Sequence, residues 1–383
     1  MSDTPQIHGD VDEGFGRVAD VFRDNFAHRQ EVGAAVAVYL RGRKVVDLHG
    51  GVADPRSGRA WSAETPAVVF SCTKGMMTIC AYLLVQEGRL DLDAPVTRYW
   101  PEFGQHGKAE IPVRWLLTHQ SGLSALDRSF TREEVLAWDP VIKAIEEQAP
   151  LWKPGTAHSY HPITFGWLIG EVIRRITGEL PGNYFRRVLG EPLGLRTWIG
   201  LPAAERDAVA WMLGPIGDPG PDFDPVSERA ITMGGAFPFP ADADGLVSFN
   251  DPAIQAAQIP GAGAVSTAES LARLYAACVS EVGGERLLSP ESVEDAIAVR
   301  VSGQQVYGLP DAGHRWGTGF LVHSVPRPML GVRSFGHDGA GGHLAFGDDA
   351  HQAGFGYVVN QMGGVDDERA NLLCAAVRDC LER

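Results

Sequence analysis

Ala67-Val68-Val69-Phe70-Ser71-Cys72-Thr73-Lys74 is the stretch on which this chain turns. Ala67 to Phe70 form an apolar run, and the segment that follows it opens a helix that ends near Gly88. A Ser at a helix N-terminus with a Lys three residues on puts both side chains on one face, one turn apart. The Lys amine can then reach the Ser oxygen. A partly buried Lys has a lowered pKa and can act as a base towards the hydroxyl. The helix dipole favours negative charge developing at Ser71. Taken alone, the same letters also describe an N-cap Ser followed by a solvated Lys, so the surrounding segments decide.

Four such segments lie downstream. Leu116-Leu117-Thr118-His119-Gln120-Ser121-Gly122-Leu123 is succeeded by Pro154-Gly155-Thr156-Ala157-His158-Ser159-Tyr160, which precedes a helix from Thr164 to Thr177. Pro260-Gly261-Ala262-Gly263-Ala264-Val265-Ser266-Thr267-Ala268 and Gly336-His337-Asp338-Gly339-Ala340-Gly341-Gly342 come later. In this order they resemble the serine β-lactamase and penicillin-binding-protein superfamily, in its class C-like branch and nearest to the family VIII carboxylesterases. The resemblance runs from about residue 15 to about residue 380.

The resemblance implies an acyl-enzyme chemistry. Ser71 matches the acylated nucleophile and Lys74 its partner base. Tyr160 stands where the family's Tyr-x-Asn motif begins and would share proton transfer to Ser71 and the leaving group. His337, Asp338 and Gly339 stand where the family's Lys-Thr-Gly lines the cleft. The backbone N–H groups of Ser71 and Ala340 would then form the oxyanion hole. Trp152 and Trp316 lie close in sequence to these motifs and are expected at the pocket border.

Two positions depart from the pattern. Pro162 replaces the expected Asn and offers neither a side-chain amide nor a backbone N–H. His337 replaces the expected Lys and is largely neutral near pH 7 unless perturbed. A fixed cation for the carboxylate of a β-lactam or a peptide C-terminus is therefore missing. Both changes suit an uncharged ester, so the expected activity is a serine hydrolase cleaving small to medium carboxylic esters. Its expected partner is a small-molecule ester, and the chemistry needs no cofactor or metal. Alternatives are a β-lactamase or D-amino-acid peptidase, an acyltransferase of the same fold, and a non-enzymatic binding protein on this scaffold.

Composition agrees with a globular enzyme. The chain has 383 residues, of which 44% are apolar and 21% charged, so global disorder is excluded. The formal net charge of −15 argues against nucleic acid and against an anionic membrane surface. Met1–His8 carries neither a basic region nor an apolar run, and no apolar stretch could span a bilayer, so a cytoplasmic protein is expected. The five cysteines form no C-x-x-C pair, which fits a reducing compartment. Oligomeric state is not legible.

Periodicity predicts the architecture. Val11, Phe15, Val18, Phe22 and Phe26 form the stripe of an amphipathic helix. Ala34–Leu40 and Lys44–Leu48 read as a hairpin through Arg41-Gly42-Arg43, and Ser334, Leu344–Phe346 and Phe355–Asn360 as further strands. A helix from about Asp366 to Leu381 closes the chain. Between them come helices at about Lys74–Glu87, Val113–Leu117, Arg132–Glu147, Thr164–Thr177 and Ala268–Glu281. The expected fold is α+β, an antiparallel sheet flanked by N- and C-terminal helices plus a mostly helical lobe, and the resemblance implies that it is β-lactamase-like. Residues 1–66 and 264–383 are expected to form a discontinuous sheet domain. Residues 67–263 are expected to form the helical one, with a long irregular insertion at about 202–262.

Other candidates have blander readings. His119, Ser121 and Gly122 read as packing and a helix stop. His158 and His161 lack a third metal ligand at a recognisable spacing. Cys72 reads as core. The glycine runs are not dinucleotide fingerprints, and no Gly-x-Ser-x-Gly elbow occurs.

Overall fold

The computed structural model describes residues 5–218, 222–241, 246–308 and 310–382. The two ends of the chain meet in one ten-stranded antiparallel sheet. Across it lie Ile7–Val11, Arg43–Asp54, Gly33–Leu40, Ala353–Val359, His343–Asp348, Ser334–Gly339, Leu321–Val322, Arg315–Trp316 and Val301–Ser302, with Arg59–Ala60 paired to Arg43–Asp54. The Gly33–Leu40/Arg43–Asp54 hairpin turns at Arg41 (φ 50°) and Gly42 (φ 76°). Two successive left-handed residues match the twist of the flanking strands.

The central strands are buried on both faces. Val36 and Val38 face a core shared with Phe22, Phe26, Leu373 and Val377, from the terminal helices Gly16–His28 and Arg369–Leu381. Ala35, Ala37 and Tyr39 point the other way, into the larger core that continues into the helices. On that side Ala268–Val279 lies directly on the sheet. A Cβ at Gly354 or Gly356 would stand 2.1 or 2.2 Å from a carbonyl oxygen of this helix, so only glycine admits the approach.

The expected α+β fold with terminal helices on the sheet is present, with local differences. Val11 ends a strand, and the first helix begins at Gly16, so the apolar stripe there changes element after Val11. The expected Arg132–Glu147 helix is two, Arg132–Leu136 and Asp139–Glu147. Pro140 lacks the N–H that a continuous helix needs, and Trp138 between the two helices takes φ 67°. The expected Ala268–Glu281 helix ends at Val279. The 202–262 segment is not wholly irregular. It carries Leu213–Ile216, paired in parallel with Gln361–Gly363, and the helix Pro225–Thr232. Residues 219–221 and 242–245 of this segment lie outside the described residues.

A small second sheet positions the start of the Cys72–Gln86 helix. Ala67–Val68 pairs with Ala264–Ser266, which pairs in turn with Thr197–Ile199. This sheet delivers the chain to Phe70 and Ser71 at the edge of the large one.

Candidate active site

Ser71 owes its place to a strained residue. Phe70 adopts φ 44°, a region costly for a bulky side chain, and turns the chain sharply from strand into the helix Cys72–Gln86. Burial of the Phe70 ring against Phe249 and His343 holds the bend. Ser71 is left at the helix N-terminus, lining a cavity of about 920 Å³.

The expected one-turn spacing brings Lys74 beneath it. Lys74 Nζ stands 3.0 Å from Ser71 Oγ, 2.6 Å from the carbonyl oxygen of Pro162 and 2.7 Å from that of Gly261. Its side chain is completely buried, and burial lowers its pKa to about 7 against an opposing pull from Asp338. Two hydrogens of a neutral amine satisfy the two carbonyls, and its lone pair is left for Ser71.

Tyr160 approaches from the other side and donates to Ser71 Oγ at 2.8 Å. Burial pushes its phenol pKa up, so it is a neutral donor. Trp316 stacks on its ring at 5.2 Å, and His119 meets both rings edge-on. His119 and His161 are themselves buried, with Ser121 Oγ 2.8 Å from His161 Nε2. Both imidazoles are held neutral by desolvation, His161 at about 3. The Leu116–Leu123 segment thus supports the ring of Tyr160 and does not reach the cavity.

The strand Ser334–Gly339 closes the site. A Cβ on Gly339 would fall 2.3 Å from the Val69 carbonyl, so this strand end presses on the chain just before Ser71. Ala340 follows it at the cavity wall. Among the described residues, neither the Ser71 nor the Ala340 N–H is taken by a backbone carbonyl.

The pocket candidates separate. Asp338, Gly339 and Trp316 line the cavity. His337 is buried away from its wall, with Nδ1 on the Asp338 carbonyl at 2.7 Å, and desolvation lowers its pKa. Trp152 also stands off the wall; its indole donates to Ala157 O at 3.1 Å and its ring packs near His161. Cys72 is buried with Sγ towards the His337 carbonyl, and burial raises its pKa. Among the described residues, no group of three or more His, Cys, Asp or Glu side chains is placed to hold a metal ion.

Several participants carry no sequence signal. The carbonyls of Pro162 and Gly261 act through backbone atoms that every residue has. Arg327 pairs with Asp338 (Nε–Oδ2 2.9 Å) across sequence that shows no motif. The apolar wall of Phe223, Ile231, Phe237, Phe239 and Phe249 comes from the 202–262 insertion. One signal was available: Gly166. A Cβ there would stand 2.1 Å from Gly261 N, so the glycine lets the Thr164–Thr177 helix press Gly261 against Lys74. Gly166→Ala is expected to destabilise the fold by roughly 1–3 kcal/mol through overpacking and to lower activity as well. Urea unfolding of wild type and variant checks it; equal midpoints would show that the backbone yields freely.

The Beta-lactamase family profile matches residues 18–378. The chain is 35% identical over 372 residues to "Esterase/beta-lactamase LipL" of Mycobacterium tuberculosis (strain ATCC 25618 / H37Rv), covering 93% of this chain and 83% of that protein. Among solved structures, it is similar to a penicillin-binding-protein homologue from Caulobacter crescentus, with TM-score 0.88, 34% identity, and 98% of this chain and 100% of that one covered. It is also similar to a family VIII carboxylesterase, with TM-score 0.87, 32% identity and the same coverage.

Proposed function

The chain belongs to the Beta-lactamase family, and we propose that within it the protein hydrolyses neutral carboxylic esters through an acyl-Ser71 intermediate. It is a serine hydrolase of that family. The observation that carries the mechanism is Ser71 Oγ held between Lys74 Nζ at 3.0 Å and Tyr160 OH at 2.8 Å.

Neutral Lys74 takes the Ser71 proton as Oγ attacks the ester carbonyl. The carbonyl oxygen becomes an oxyanion facing the N–H groups of Ser71 and Ala340, where fixed donors stabilise it without reorganisation. The C–O bond to the alcohol then breaks. Tyr160 supplies a proton to the departing alkoxide, and the Lys74 ammonium restores the phenol proton. Water attacks the acyl-Ser71 ester by the same route, with Lys74 again as base, and returns free Ser71 and the acid.

The wall of the cavity supports an uncharged substrate. Among the described residues that line it, Arg327 is already paired with Asp338 and desolvation lowers the pKa of His158 and His314, while His337 behind the wall is shifted the same way, so no lone cation there awaits a carboxylate. Pro162 offers no amide to a peptide substrate. Cytoplasmic residence is part of the same reading, supported by the buried free thiols of Cys72, Cys80, Cys278 and Cys374. No helix of the described residues is long and apolar enough to cross a membrane.

Turnover of p-nitrophenyl butyrate is expected to exceed that of a chromogenic cephalosporin by about 100-fold or more in kcat/KM, the discrimination expected when a charged group finds no partner. Faster cephalosporin turnover would instead support a β-lactamase. Acyl transfer to an added alcohol in preference to water would point to an acyltransferase.

A further inference from the structure

The turn that carries Ala340 runs through two successive glycines. Gly341 has φ 87° and Gly342 φ 110°, both in the left-handed region that glycine enters freely and leaves as freely. An oxyanion donor must keep its place within a few tenths of an ångström to be useful. Within the turn one hydrogen bond, Gly342 N to Gly339 O at 3.2 Å, supplies part of that restraint, and the rest has to come from outside it.

It comes from a buried ion cluster packed against the turn. Arg369, at the start of the C-terminal helix, is 2% exposed. Its Nη2 donates to Gly341 O at 3.2 Å, to Gln361 O at 2.9 Å and to Asp367 Oδ2 at 2.7 Å. Its Nε donates to Asp367 Oδ1 at 2.9 Å, and its Nη1 to Glu31 Oε1 at 2.8 Å. Glu31 is completely buried and also accepts from Tyr357 OH. The Gly341 carbonyl takes a second donor, Gly363 N at 3.0 Å. On the neighbouring residue, a Cβ at Gly342 would meet Asp367 Oδ2 at 2.4 Å and Arg369 Nη2 at 3.1 Å, so the cluster and the turn are in contact along two residues.

Buried charges are costly unless fully paired, and apolar residues of similar volume often stabilise a core as well. An ion cluster at this spot therefore calls for a reason beyond stability. We propose that Arg369, anchored by Glu31 and Asp367, is a positioning residue that holds the Gly341 carbonyl and thereby fixes the Ala340 N–H at the oxyanion position. The inference rests on the acyl-Ser71 reading and adds a residue to it. Arg369 is not among the residues lining the cavity; it acts through the short backbone stretch from the Gly341 carbonyl back to the Ala340 N–H.

The test compares wild type with Arg369→Lys and Glu31→Gln. Lys keeps the charge but loses the planar fork that spans Glu31, Asp367 and Gly341 together. Glu31→Gln keeps the shape and removes the anchoring charge, and serves if Arg369→Lys does not fold. For each, kcat and KM for p-nitrophenyl butyrate are measured with the Ki of phenylboronic acid, which forms a tetrahedral adduct at an active serine. Thermal melts report folding. A misplaced oxyanion donor lowers kcat by about 10–100-fold in Arg369→Lys, leaves KM within about threefold, and weakens the boronate by a factor parallel to the fall in kcat/KM. Glu31→Gln is expected to show a smaller loss with the same parallel.

A folded Arg369→Lys with kcat within threefold of wild type would overturn the proposal. So would a fall in kcat with unchanged boronate affinity, because that pattern belongs to a general loss of structure. If only Glu31→Gln folds, its unchanged kcat and boronate affinity would overturn it equally. Failure of the underlying reading looks different: the boronate would not inhibit wild type, or Ser71→Ala would keep its turnover.

Discussion

Ser71→Ala is expected to lower kcat for p-nitrophenyl butyrate by about 10⁴-fold or more, since the acyl-enzyme cannot form without its oxygen. The fold should not change. Ser71 occupies the N-cap of the helix Cys72–Gln86, yet its side chain makes no capping hydrogen bond, so truncation removes no support from the helix. Its Oγ contacts are to Lys74 and Tyr160 alone among the described residues. The melt should coincide with that of wild type while covalent labelling by a fluorophosphonate disappears. Equal hydrolysis by wild type and variant would remove Ser71 from the chemistry.

Lys74→Ala is the second large effect, about 10²–10⁴-fold in kcat, the range for loss of a positioned base. Its more telling readout is pH. Burial lowers the Lys74 pKa to about 7, and the base is the neutral amine. Wild-type kcat/KM should therefore rise with pH through about 7 and flatten above it. Below that limb Lys74 is an ammonium with no lone pair for the Ser71 proton. Tyr160 cannot produce this limb, because its phenol is pushed above its ordinary value by desolvation. The buried imidazoles packed on the Tyr160 ring, His119 and His337, titrate below their ordinary range for the same reason, as does His161 beside His119. In Lys74→Ala the residual activity should lose the limb. A limb near pH 7 that persists in a folded Lys74→Ala protein would assign it to another group and leave Lys74 without its role.

The sheet was the most legible part of the chain. The apolar alternation of Gly33–Leu40, its hairpin through Arg41 and Gly42, and the helix Thr164–Thr177 are local patterns, and local patterns survive in the fold. Boundaries failed where one apolar stripe crossed two elements, as at Val11, or where a single proline broke a continuous periodicity, as at Pro140. For the candidate site, the spacing of Ser71 and Lys74 already put them one turn apart. Tyr160 came from the ordered motifs and the resemblance they carry. His337 and Trp152 illustrate the limit: adjacency in sequence to a cleft residue does not settle which side of the backbone a side chain takes.

By itself, then, the sequence determined a helix that starts at a serine, an amine one turn below it, and strands at both ends able to share a sheet. These depend on 3.6-residue and two-residue repeats, which are written in consecutive residues. Only the tertiary structure decided what makes the amine a base and the turn a candidate oxyanion hole. Lys74 is desolvated by helices distant in sequence, and its hydrogens go to the carbonyls of Pro162 and Gly261, 88 and 187 positions away. Arg369 reaches Gly341 while tied to Glu31, 338 residues before it. Burial and backbone hydrogen bonds of this kind are properties of packed surfaces meeting, and no short stretch of residues encodes them.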